Sequence, residues 1–114
     1  MGQAVTVKVD DIERGESLSD GFIGLAILAG MTGMTDGELM CRMEDEDVEN
    51  KNDEASMRLR DATKYLKEYD AEFQKVKTDE DRSAFLNTRV LKKFEDGKWV
   101  DSTLEKVFNS RKSD

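Results

Sequence analysis

From Asn50 to Lys77 the apolar positions Ala55, Leu59, Ala62, Leu66, Tyr69, Phe73 and Val76 recur at alternating steps of four and three. Such steps keep returning to one side of a helix. The pattern predicts a long amphipathic helix whose seam lies against another helix, with Asn50 or Asn52 placed to cap it. Twenty-odd residues at ~1.5 Å each would span roughly 35–40 Å, against a diameter of roughly 34 Å for a compact domain of this length. The seam is therefore expected to run the whole molecule or overhang it, and an overhanging apolar edge needs cover from a partner or a second copy.

The rest of the chain sorts around this helix. In AVTVKV, residues 4–9, Val5, Val7 and Val9 alternate, which predicts a short strand, or else an extended arm over residues 1–16. Leu18 to Met31 is apolar nearly all round and reads as a buried helix, opened by Ser17-Leu18-Ser19-Asp20 and ended by Gly30 and Gly33. Thr35-Asp36-Gly37-Glu38 repeats the start signal for a short helix carrying Leu39, Met40 and Met43. Residues 44–54 form an acidic linker. Thr78-Asp79-Glu80-Asp81 is a third start signal, marking either a new antiparallel helix or a kink, and the segment after it is expected to bury Ala84, Phe85, Val90 and Leu91.

Asp96-Gly97, between KKFE and KWVD, predicts a hairpin over residues 91–101; the competing reading is that Gly97 only ends a helix. Ser102-Thr103-Leu104-Glu105 opens a last short helix with Leu104, Val107 and Phe108 inward, before a frayed tail at 109–114. The fold class is thus mostly α: four to five helices, one of them long, central and amphipathic, with a small β element. With no proline and no repeat, residues 1–114 read as a single domain.

Composition narrows the functions. Leu, Ile, Val and Phe make up only 25 of 114 residues, enough to fold but a lean core for so charged a chain. The net charge of −8 is uneven: residues 1–56 hold 4 basic and 14 acidic groups, residues 57–114 hold 14 and 12. An acidic half repels phosphate backbones, so direct binding of nucleic acid is not expected, while docking on a basic partner is. There is no histidine and one cysteine, Cys41. That removes the commonest general base, the commonest zinc ligand and any internal disulfide. Cys41, among Leu39, Met40 and Met43, is expected to be a small buried thiol. The start of the chain lacks the basic and apolar runs of a signal peptide, and Phe22 to Met34 is too short for a membrane span. A cytoplasmic setting without membrane contact is expected.

No constellation points to catalysis, so the chain reads as a non-enzyme without a cofactor. Asp45, Asp47 and Glu49 alternate as at the opening of a calcium loop, but Asn50 stands where glycine is needed and Ser56 where glutamate is. No metal site is expected. Two surface features remain. One is the acidic run of Glu44, Asp45, Glu46, Asp47 and Glu49, continued by Asp53 and Glu54. The other is methionine: Met31, Met34, Met40 and Met43 pair three apart, and methionine suits both irregular cores and adaptable surfaces. Together with the seam residues Leu59, Leu66, Tyr69 and Phe73 and the single indole, Trp99, these are the candidate partner-binding residues. The expected function is a small acidic protein that docks to a protein partner or to itself, as a homo-oligomer or obligate complex. The alternative is an inhibitor that imitates nucleic acid before a DNA- or RNA-handling enzyme.

Overall fold

The structure, a computed structural model, describes residues 8–44 and 53–111. In chain order it contains a 3-10 turn Val9–Asp11, α1 (Gly21–Thr32), α2 (Asp36–Glu44), α3 (Glu54–Phe73), α4 (Asp79–Thr88), the hairpin strands β1 (Val90–Glu95) and β2 (Lys98–Thr103), and α5 (Leu104–Asn109). It is mostly helical, with one two-stranded antiparallel sheet.

Helix α1 has no polar face to give to water, so it is stable only when surrounded. It is surrounded by α2, α3, α5 and β1, and every residue from Ala26 to Thr32 is buried. The helix begins three residues later than Leu18. Ser17 Oγ donates to the Asp20 carboxylate at 3.3 Å, while the Leu18 N–H donates to Asp70 Oδ1 of α3 at 3.0 Å. Residues 17–20 are thereby held as a link to α3, and Asp20 becomes the N-cap. Only Gly33 ends the helix. Gly30 lies inside it, where a Cβ would fall on the Val107 carbonyl oxygen and 2.8 Å from Val107 Cγ1. The absent side chain is what lets α5 reach α1.

The seam of α3 points inward as its periodicity predicts. Leu59, Ala62, Leu66, Tyr69 and Phe73 are all buried within the chain's own fold. The helix is shorter than expected, starting from Asp53 as N-cap and ending at Phe73; Asn50 and Asn52 lie outside the described residues. Twenty residues span about 30 Å, inside the molecule's 40 Å long dimension. The expected overhang is therefore absent: α1, β1 and Phe85 of α4 take up the seam.

The start signals at Thr35 and Thr78 work as capping physics requires. Thr35 Oγ1 accepts the Glu38 N–H at 3.1 Å and Thr78 Oγ1 the Asp81 N–H at 3.0 Å. Helix α4 is separate from α3, so Thr78 marks a turn and not a kink. It buries Leu86, while Ala84 and Val90 are exposed, against expectation. Asp96 and Gly97 both have positive φ, 53° and 81°, the conformation of a two-residue turn that matches strand twist. The hairpin reading holds, with Phe94 opposite Trp99 and Glu95 opposite Lys98. The last helix is capped one residue later than expected, by Thr103.

Neither described end of the chain hangs free. Residues 4–7 of the expected strand lie outside the described residues; Val9 is in the 3-10 turn, and Val9 and Ile12 are buried in the core. Arg82 Nη1 donates to the Ile12 carbonyl at 2.7 Å and Gln74 Nε2 to that of Glu16 at 2.7 Å, so residues 8–16 are fastened and not an arm. Arg111, expected to fray, grips Asp36 with two nitrogens, Nε on Oδ1 at 3.1 Å and Nη2 on Oδ2 at 2.5 Å. Residues 112–114 lie outside the described residues.

Candidate functional site

Helix α2 lies on α1 through Leu39, which is fully buried. Neighbours on a helix are turned by about 100°, so a buried Leu39 turns Met40 aside, 48% exposed, while Met43, one turn on and next to the end of α2, is 52% exposed. Beside them α1 contributes Leu25 and Leu28, with Gly21 and Gly24 also in the lining. The groove holds about 320 Å³. Asp20 closes one part of its rim and Glu44 another. Its centre is apolar and adaptable, its edge negative.

The position of α2 is fixed by Arg42. Its Nη1 lies 2.9 Å from Asp53 Oδ2 and 3.3 Å from Ser56 Oγ, tying the end of α2 to the start of α3. Ser56, and then Arg42, hold the Asp53 carboxyl below its ordinary pKa, against the opposing effect of burial. A depressed carboxylate adds stability in full above its ordinary pKa, and this is lost as the pH falls through the lowered value. Asp53→Asn keeps a residue favoured at the N-cap position but removes the charge. The variant is therefore expected to melt below the parent at neutral pH, with the gap closing in strong acid. A gap that stays constant with pH would assign the effect to something other than the carboxylate.

The candidate residues divide sharply. Met40, Met43 and Glu44 are exposed and meet at this groove. Met31 and Met34 are core residues, because they fall on the inward side of α1 and the turn after it. Leu59, Leu66, Tyr69 and Phe73 are buried by their own chain and present no docking edge. Trp99 is half-buried: it meets Phe94 edge-on at 5.3 Å and Tyr65 at 5.2 Å, and seats the hairpin on α3. Asp45, Glu46, Asp47 and Glu49 lie outside the described residues. Cys41 is exposed, not buried, since Leu39 takes the inward position of that helix. Leu25 and Leu28 were missed as site residues; an all-apolar α1 gives no sign of which side stays open.

Among the described residues no group of three or more acidic or cysteine side chains is placed to hold a metal ion, and no helix is long and apolar enough to cross a membrane. Comparison with protein-family models, curated proteins and solved structures gives no significant match.

Proposed function

We propose that this is a non-catalytic binding protein whose α1–α2 groove takes a basic amphipathic helix of a protein partner. The observation that carries the reading is the pairing of exposed Met40 and Met43 with the acidic rim of Asp20 and Glu44. Apolar anchors in a flexible centre with charge at the rim are what a helix-in-groove contact uses. The charge complementarity extends beyond the rim, because the first 56 residues hold 14 acidic groups against 4 basic ones. A second copy of the chain is a poorer occupant, since two negative rims would face each other. A cytoplasmic working place belongs to the proposal: Cys41 is free and exposed, a state that a reducing compartment preserves.

The test is a titration of the chain, followed by NMR, with a lysine–leucine amphipathic helical peptide and a glutamate–leucine counterpart. The lysine peptide is expected to shift resonances of Leu25, Leu28, Met40 and Met43 and to weaken as salt rises. The paired substitution Met40→Ser and Met43→Ser should reduce its affinity about tenfold or more while changing stability by only about 0.5 kcal/mol per site. Equal binding of both peptides, or shifts confined elsewhere, would rule the groove out.

A second reading rests on the exposure of Asp10, Asp11, Glu13, Asp20, Glu38 and Glu44. These acids support an inhibitor that occupies the nucleic-acid cleft of an enzyme. In that case amide substitutions at the acids abolish binding while the methionine substitutions leave it unchanged.

A further inference from the structure

A second recess opens between α3 and the start of β1, and it is built differently from the docking groove. It encloses about 450 Å³, within the range of small-molecule sites. Its helix wall presents Tyr65, Glu68, Tyr69 and Glu72; its other wall presents Arg89 and Lys92.

Tyr69 is the unusual member. It is only 5% exposed, and its hydroxyl has no hydrogen-bond partner among the described residues. A buried hydroxyl without a partner is costly, so native structures rarely keep one without reason. Burial holds the phenol protonated, its pKa pushed upward against the pull of the Arg89 charge. The phenol is therefore a standing donor, and the Arg89 guanidinium lines the same recess. Arg89 has capacity to spare: its nearest carboxylate oxygen, on Glu72, is 3.9 Å away, longer than a charge-assisted hydrogen bond.

A hydroxyl donor beside a guanidinium fork suits a carboxylate. The opposite requirement comes from Glu68 and Glu72, four apart on one face of α3. They repel a multiply charged anion such as phosphate and offer acceptors to an ammonium group. Val90, 53% exposed at the mouth, and the Tyr65 ring supply apolar surface. We infer that this recess binds a small zwitterion of the α-amino-acid type, its carboxylate held by Arg89 and the Tyr69 hydroxyl and its ammonium by Glu68 and Glu72. The site is independent of the docking groove and stands or falls without it.

The test uses the full chain and three probes of matched shape: L-leucine, isovalerate, which has only the carboxylate, and isoamylamine, which has only the amine. Leucine at millimolar concentration is expected to give saturable NMR shifts at Tyr69, Glu72 and residues 89–92, with isovalerate and isoamylamine much weaker. Tyr69→Phe is expected to weaken leucine about tenfold, the effect of one hydrogen bond to a charged group. Its melting temperature should stay level or rise, because an unpaired hydroxyl is removed. Glu68→Gln with Glu72→Gln should erase the preference for leucine over isovalerate. The inference is overturned if no probe saturates, if isovalerate binds as well as leucine, or if Tyr69→Phe binds as well as the parent.

Discussion

Phe73→Ala is expected to cost about 3–5 kcal/mol, the effect of truncating a fully buried aromatic ring. Phe73 has no exposed surface and is the last residue of α3. Its ring lies 5.7 Å from Phe85, which in turn meets Tyr69 at 4.8 Å. The three rings join α3 to α4. Total stability for a domain of this size is about 5–15 kcal/mol, so the loss is a fifth or more of the whole. Thermal melting should fall by roughly 15–25 °C, and the urea midpoint should fall with an unchanged slope. Phe22, 48% exposed on α1, is the matched control, and its truncation should change stability by about 1 kcal/mol or less. A Phe73→Ala variant that melts within a few degrees of the parent would mean that this packing is wrong.

Gly30→Ala is expected to destabilise by about 1–3 kcal/mol, opposite in sign to what helix propensity alone says. Inside an exposed helix the exchange would gain about 1 kcal/mol. Here the added methyl meets the Val107 carbonyl, and the backbone of α5 has to move. Overpacking against rigid neighbours costs about 1–3 kcal/mol or more, so the contact outweighs the propensity. Adding Val107→Ala separates the two obstacles. It clears the 2.8 Å contact with Cγ1 but leaves the carbonyl in place, so it should not restore stability. Restoration by that second change, or a Gly30→Ala variant more stable than the parent, would show that the helices do not approach as closely as described.

How much of this was legible in the sequence depended on how far apart the interacting residues are. Signals carried by a few neighbouring residues were readable: the threonine caps at 35 and 78, the Asp96-Gly97 turn, and the inward face of α3. Each rests on backbone geometry or helical period within one element. What failed to show was set by distant partners. The grip of Arg111 on Asp36 joins residues 75 apart, and Gly30 matters only because Val107 arrives against it. The methionines illustrate the same limit, since one residue type divides between core and surface, Met31 and Met34 buried and Met40 and Met43 exposed, according to where other helices pack. The recess around Tyr69 was hidden for a related reason. A tyrosine at a seam position reads as packing until the hydroxyl is seen without a partner.

The encirclement of α1 bears on how the chain is made. Its most apolar helix ends at Thr32, yet the helix that closes over Gly30 begins only at Leu104. At about 5–20 residues per second, a ribosome exposes the first several seconds before it delivers the second. During that interval the side of this greasy segment that α5 will cover has nothing of its own against it, and its other sides are covered only as α2, α3 and β1 follow. The nascent chain is thus a natural client for chaperones that shield emerging hydrophobic segments, even though the finished fold hides nearly all of this one.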